Sequence, residues 1–298
     1  MRIFLTGATG FIGSAIIPEL INAGHQVIGL TRSDTGAQAL LAAGAEPHRG
    51  TLEDLESLRT GAAKSDGVIH CAFNHDAFVD NDFSKFIKSC ENDKQAIETL
   101  GSVLAGSGRP LIVSSGTGAI SPGRLVTEVD NPPANSPLPR LSEETGIAQS
   151  SKGVTASVVR LPQVHDTTKQ GLVTFLIAIA RAKGVSAYIG EGQNRWPAAH
   201  VTDTARLYRL ALEKHESGAR YHAVAEQGVS LKQIAEAIGR GLKIPTVSLS
   251  QEEAAAHFGW LAPFAGWDIP ASSAKTQEVL GWHPTGPGLI EDLNNMRF

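Results

Sequence analysis

The chain has 298 residues, enough for one large domain or for a domain with an appended lobe. Its 42% hydrophobic and 19% charged content is ordinary for a soluble globular protein, and a net charge of −4 argues against nucleic acid or an anionic membrane as partner. No run approaches the ~20 apolar residues of a membrane span. The two cysteines, Cys71 and Cys90, make no disulfide framework, the ten histidines make no HExxH or HxH spacing, and His70-Cys71 with His75 lacks a fourth ligand, so the expectation is a reducing cytoplasm and no metal site.

Arg2 to Leu5 is a short apolar run that reads as a buried strand and is bounded by Gly7. Gly7, Gly10 and Gly13 follow at three-residue spacing, and Ile16, Ile17, Leu20 and Ile21 then recur with a helical period. Arg2 ahead of Ile3-Phe4-Leu5 has the outline of a signal peptide, but the glycines break the apolar run too early for that role. Strand, glycine turn and helix N-terminus in that order predict an anion site, where free backbone N–H groups and the positive helix end converge. Gly7 permits the tight turn, Gly10 lets backbone approach a pyrophosphate, and Gly13 lets the helix pack close to the strand. Thr9, Phe11 and Ile12 complete the loop expected to hold it. The pattern Thr6-Gly7-x-x-Gly10-x-x-Gly13 resembles the extended and atypical branches of the short-chain dehydrogenase/reductase superfamily.

The first helix ends at Gly24, and Val27 to Leu30 is a second strand followed by Thr31-Arg32-Ser33. In a dinucleotide fold the residue past this strand reads the adenosine ribose: an acid accepts from a 2′-OH, an Arg takes a 2′-phosphate. Arg32, with Ser33 beside it, favours NADP, with NAD as the alternative. Gly50-Thr51-Leu52-Glu53-Asp54 resembles the family's Gly-Asp-Leu-x-Asp turn, which implies that Thr51 and Leu52 lie by the adenine. Asp66 to Ala72 matches Asp-x-Val-Ile-His-x-Ala. Cys71 and Ala72 at its end, followed by Phe73, would let the ribose and pyrophosphate cross the sheet edge. Phe83 to Leu104 reads as an amphipathic helix interrupted near Asn92 and Gly101, with Asn92 where the family keeps a helix Asn. Pro110 to Ser115 is the fifth strand, and Ser114 joins the expected cofactor contacts. A Pro- and Ser-rich loop over 116–139 suggests a functional segment over the cleft.

Thr155 to Leu161 is another strand. With Pro162-Gln163-Val164-His165 it resembles Val-Val-Arg-x-x-x-Val-Tyr-Gly, which implies Leu161, Pro162 and Val164 beside the cofactor. Strands and helices alternate to this point, so the fold class is α/β, a Rossmann-type doubly wound parallel sheet with a smaller C-terminal substrate lobe. Residues 1–170 are assigned to the NADP-binding Rossmann domain. Residues 171–298 are mainly the lobe, with some segments returning to the Rossmann domain. Gly190-x-Gly192 through His200-Val201-x-Asp203-x-Ala205 resembles the family's lobe signature, and Lys275 to Leu280-Gly281-Trp282-x-Pro284 its closing motif. Ser230-x-x-Gln233 and Ser250-x-x-Glu253 read as capping boxes.

In the family a Ser or Thr polarises the substrate oxygen, and a Tyr in Tyr-x-x-x-Lys passes the proton. The Lys lowers the Tyr pKa and holds the ribose. Ser115 stands at the Ser position, with Thr117 nearby. No tyrosine lies between Ser115 and Arg160; Ser136 and Arg140 fall at the Tyr and Lys positions. Arg140 keeps the charge and the implied ribose contact but does not titrate near neutral pH. Tyr188 is then the first candidate for the acid, with His165 and His200 behind it, while Tyr208 and Tyr221 read as packing. The expected substrate contacts are Thr117, His165, Tyr188, Arg195, Trp196 and His200. The aromatic residues Trp196, Phe258, Trp260 and Phe264 point to a small apolar carbonyl or alcohol, and Arg195 alone argues otherwise. The resemblance therefore implies an NADP-dependent oxidoreductase with a small-molecule substrate. A nucleotide-sugar epimerase or dehydratase and a catalytically inactive NADP-binding regulator stay open, as does a homodimer.

Overall fold

The computed structural model describes residues 1–75, 83–118, 120–133 and 139–298. Its strands in chain order are β1 (Arg2–Thr6), β2 (Gln26–Thr31), β3 (Glu46–Arg49), β4 (Gly67–His70), β5 (Pro110–Gly116) and β6 (Thr155–Leu161), then β7 (Gln163–His165), β8 (Ser186–Ile189), β9 (Arg195–His200), β10 (Arg220–His222), β11 (Glu226–Ser230) and β12 (Thr246–Leu249). The first eight helices are α1 (Phe11–Asn22), α2 (Asp34–Ala42), α3 (Leu55–Ala63), α4 (Phe83–Leu104), α5 (Ser142–Ala148), α6 (Val173–Lys183), α7 (Val201–Lys214) and α8 (Leu231–Leu242). A seven-stranded parallel sheet runs β3-β2-β1-β4-β5-β6-β10.

Both faces of this sheet are covered, which is why its central strands are continuously apolar. Along β1, Ile3 and Leu5 point to one side and join Ile16, Leu20, Leu207 and Tyr208 of α1 and α7. Phe4 points to the other and joins Leu58, Ile97 and Leu100 of α3 and α4. Strand order reverses between β1 and β4, and such a reversal opens a crevice outside the carboxyl ends of the strands. The crevice is where Gly7 and Cys71 leave the sheet.

Helix α4 runs without the interruptions expected at Asn92 and Gly101. Gly101 is a close-approach position instead, because a Cβ there would lie 2.4 Å from Gln149 Oε1. The buried stripe of α4 includes Phe86, Ser89, Cys90, Asp93, Ile97, Thr99, Leu100 and Leu104, and Asp93 is the one charged residue among them.

The C-terminal third supplies β10 to the edge of the large sheet and packs α7 against α1. β7, from the end of the first 170 residues, joins β9 and β11 in one small sheet, and β12 pairs with β8 in another, around a core that includes Trp196, Leu176, Ile234, Phe258 and Leu261. Ser230 and Ser250 both start helices as reciprocal capping boxes. Buried Trp282 donates from Nε1 to the Asp203 carbonyl at 2.9 Å, tying the closing Leu-Gly-Trp motif to α7.

Candidate active site

The glycine turn is closed on itself. Gly7 has φ +70°, and a Cβ there would lie 2.8 Å from Ala72 N, so only glycine lets the turn pass the end of β4. Gly10 N–H donates to Gly7 O at 2.9 Å, and Gly10 caps α1 with no side chain. A Cβ on Gly13 would lie 2.0 Å from Gly7 O, so the helix start rests directly on the turn. The N–H groups of the first turn, from Phe11 to Gly13, therefore have no acceptor within the helix and face the exposed rim at Thr9 and Gly10. This cradle fits a pyrophosphate, and added side chains would fill it.

The second loop closes beside it. A Cβ on Gly36 would lie 2.2 Å from Thr31 Oγ1 and 3.2 Å from Thr9 Cγ2, which brings the β1 and β2 exits together. Ser33 caps α2 by accepting from Gly36 N at 3.0 Å, and Arg32 is exposed in this turn. Asp34 is also exposed and pairs with Arg49 at 3.3 Å. Thr51 Oγ1 accepts from the N–H groups of Glu53 and Asp54, and Leu52 packs on the core beneath.

At the carboxyl ends of β1, β4 and β5 lies a continuous buried polar chain. Thr6 Oγ1 accepts from Ala72 N and contacts His70 Nδ1 at 2.9 Å, and His70 Nε2 reaches Asp93 Oδ1 at 3.1 Å. Ser142 Oγ donates to Asp93 Oδ2 at 2.5 Å, and Arg140 Nε donates to Ser142 Oγ at 2.7 Å. Arg140 Nη2 also donates to the Ser114 carbonyl at 3.3 Å, and its guanidinium lies 4.1 Å from the centre of the Phe73 ring. Burial alone would raise the Asp93 carboxyl. The His70 hydrogen bond and charge, the Arg140 charge and the Ser142 hydroxyl outweigh it and hold the group below its ordinary value.

Ser114 Oγ donates to the His70 carbonyl at 2.8 Å, so its single proton is committed and Tyr208 OH must donate to Ser114 at 2.6 Å. Cys71 Sγ completes the row at 3.9 Å from Tyr208 OH. Burial pushes both the Cys71 thiol and the Tyr208 phenol up, so both stay protonated at neutral pH. Tyr208 is thus more than packing, yet it is fully buried on α7.

Ser115 is half-buried at the end of β5, opposite Arg160 of β6. Thr117 is buried and donates to the Leu161 carbonyl at 3.4 Å; Leu161 and Pro162 are half-buried and Val164 buried. Ser136 lies outside the described residues, and Arg140 precedes α5 rather than standing on it.

The lobe residues are not gathered at this cluster. Tyr188 sits on β8, its ring 5.8 Å from Lys232 Nζ and so close to Gly192 that a Cβ there would touch it. Its contacts are lobe contacts, so the structure does not bring the expected acid to Arg140. Trp196 is fully buried in the lobe core and is not a cleft wall. Arg195 is held by Asp268 through two hydrogen bonds of 2.9 Å and is not a free cation. His165 is fully buried, with Nδ1 2.6 Å from Asp292 Oδ2, and burial lowers its pKa against the pull of Asp292 and Glu226. His200 caps α7, with Nδ1 2.8 Å from Thr202 Oγ1, and stacks edge-on to His165. Among the described residues no group of His, Cys, Asp or Glu side chains is arranged to hold a metal ion, and no helix is long and apolar enough to cross a membrane.

A model of the NAD dependent epimerase/dehydratase family matches residues 3–225. The chain belongs to that family. An uncharacterized protein of Schizosaccharomyces pombe is 51% identical over 98% of this chain and 98% of its own length. The decarboxylating sterol-4-alpha-carboxylate 3-dehydrogenase of Dictyostelium discoideum is 26% identical over 78% of this chain and 74% of its own. Among solved structures, dTDP-glucose 4,6-dehydratase from Streptomyces venezuelae with NAD bound has a TM-score of 0.77 at 19% identity, covering 99% of this chain and 95% of that one, which is a likeness of fold.

In this member of the epimerase/dehydratase family, neither Asp93 nor Ser142 belongs to a recognisable sequence motif. The signal for Asp93 was present: it is the one charged residue on the buried stripe of α4, one position past the Asn92 that the resemblance picked. Asn92 itself donates to Glu53 at 3.3 Å on the outer side. Ser142 carried no such signal.

Proposed function

We propose that the protein is an NADP-dependent oxidoreductase acting on a small, uncharged carbonyl or alcohol. The observation that carries it is the closed glycine cradle at the strand-order reversal, with Arg32 in the adjoining turn. Gly7, Thr9, Gly10, Phe11, Ile12 and Gly13 would hold the pyrophosphate, and Arg32 and Ser33 the ribose 2′-phosphate. Thr51 and Leu52 would border the adenine. Cys71, Ala72, Phe73, Ser114, Leu161, Pro162 and Val164 would line the nicotinamide half. When bound, the dinucleotide would supply or accept the hydride.

Arg140 holds the ribose and stays charged throughout, so it orients rather than transfers a proton. Ser115, half-buried at the strand end, polarises the substrate oxygen. An uncharged substrate fits the charge balance: the Arg140 guanidinium is already matched by buried Asp93, and Arg195 by Asp268. The lobe aromatics Trp196 and Phe258 give no support of their own, since both are core residues.

A second reading is favoured by one specific observation. The Tyr208 hydroxyl meets Ser114 but is fully buried, Tyr221 is buried and Tyr188 belongs to the lobe sheet, so no exposed tyrosine hydroxyl accompanies Ser115 and Arg140. That arrangement suits a regulator that binds the dinucleotide without turning it over. Incubating the protein with NADPH and a mixed panel of aldehydes and ketones, and following NADPH absorbance, separates the two. Turnover supports the oxidoreductase; tight NADPH binding without turnover supports the regulator.

A further inference from the structure

We propose that Asp93 and Ser142 are positioning residues that set the guanidinium of Arg140 in the cleft. This rests on the reading above, in which Arg140 holds the ribose on the nicotinamide side.

Arg140 lies in irregular chain just before α5, where a long side chain would otherwise sample many rotamers. Three contacts remove that freedom: Nε to Ser142 Oγ, Nη2 to the Ser114 carbonyl, and the guanidinium over the Phe73 ring. Only the first leads to a charge. Ser142 has one proton, which it gives to Asp93, so its lone pairs face Arg140 and the hydroxyl carries the carboxylate's pull to the guanidinium. Asp93 and Ser142 are each 1% exposed, so neither can meet a ligand itself. On the far side of Asp93, His70 donates from Nε2 while Thr6 meets its Nδ1, which holds the carboxylate against rotation. Two of the five N–H groups of Arg140 are engaged in this way among the described residues. The fork is thereby oriented with donors left for the hydroxyl or carbonyl oxygens of a ligand. Because its charge is balanced through Ser142, those oxygens belong to a neutral group such as a ribose diol.

The experiment titrates two probes, NADPH and 2′,5′-ADP, the second carrying only the adenosine half. Wild type, Ser142→Ala, Asp93→Asn, Arg140→Ala and the Arg140→Ala/Ser142→Ala pair are compared, each with a thermal melt. Ser142→Ala and Asp93→Asn should weaken NADPH by about tenfold while leaving 2′,5′-ADP unchanged. The double variant should bind NADPH no more weakly than Arg140→Ala alone, since the serine acts only through the arginine. Unchanged NADPH affinity in Ser142→Ala, equal loss of both probes, or additive losses in the pair would each overturn the assignment. Failure of wild type to bind either probe would instead remove the reading of the cleft as a dinucleotide site, and this inference with it.

Discussion

Arg160 of β6 and Glu143 of α5 form a buried, two-pronged ion pair, with Nη2 2.5 Å from Oε1 and Nε 2.8 Å from Oε2. Neither side chain is more than 2% exposed, and Arg220 of β10 reaches the same carboxylate at 2.7 Å. Burial alone would raise the Glu143 carboxyl, and the two guanidinium groups hold it below its ordinary value. Glu143 therefore links the segment that carries Arg140 to two strands of the large sheet. Glu143→Ala should cost about 3–5 kcal/mol, because it leaves a buried guanidinium unpaired. A denaturant melt checks this, and a loss below about 1 kcal/mol would mean that water replaces the carboxylate.

Two glycines of the cradle, Gly10 and Gly13, separate binding from folding. Gly10 has extended backbone, φ −82° and ψ 174°, which any residue adopts, and a Cβ there would lie 3.1 Å from Gly7 O. Gly10→Ala should keep stability within about 1 kcal/mol of wild type yet weaken dinucleotide binding by about tenfold or more. Gly13→Ala should lower both, since its Cβ would lie 2.0 Å from Gly7 O. Melting curves with NADPH titrations distinguish the two, and a stable Gly10→Ala variant with full affinity would place the ligand elsewhere.

Arg32 should decide which dinucleotide is preferred. The nearest acid, Asp34, is exposed and pairs with Arg49, so no carboxylate is committed to a ribose 2′-OH at this turn. Wild type should bind NADPH about tenfold or more tightly than NADH, and Arg32→Ala should bring the two together. A wild-type preference for NADH would reverse the assignment.

Acidification should destabilise the protein before its carboxylates titrate. His222 Nδ1 donates to the Ser272 carbonyl at 2.7 Å, so Nε2 is the acceptor for Arg160 at 3.1 Å. Burial, aided by the Arg160 charge, lowers the His222 pKa from 6.5 to about 4 in spite of Glu128 and Glu143. The unfolded chain then binds the proton first. The stability is fully present above pH 6.5 and is lost as pH falls toward 4. Between about pH 7.5 and about pH 5 the loss from this group is on the order of 2 kcal/mol, and buried His165 adds to it in the same direction. His222→Gln should flatten the dependence of Tm on pH in that window; an unaltered slope would assign it to other groups.

Much of the fold was legible in the chain alone, because it is set by local chemistry. Apolar runs between glycine turns placed β1, β2, β4, β5 and β6. The spacing of Gly7, Gly10 and Gly13 placed the cradle, and Ser230 and Ser250 marked two helix starts. These features depend on neighbours a few residues away. What needed the tertiary structure were the partnerships between distant polar groups. Tyr188, Trp196, Arg195 and His165 carry suitable chemistry, but only packing decides whether such a side chain meets a cleft or a core. Here packing placed Trp196 and His165 in the interior and paired Arg195 with Asp268. Gly101 looked like a helix break, and only the side chain of Gln149 lying against it explains why it is glycine. Asp93 and Arg140 are 47 residues apart and meet through Ser142 because α4 and α5 pack side by side on one face of the sheet. Sequence periodicity reports which face of a helix is buried. It does not report which distant charge will be waiting there, because that depends on how the sheet orders its strands and which helices it brings together.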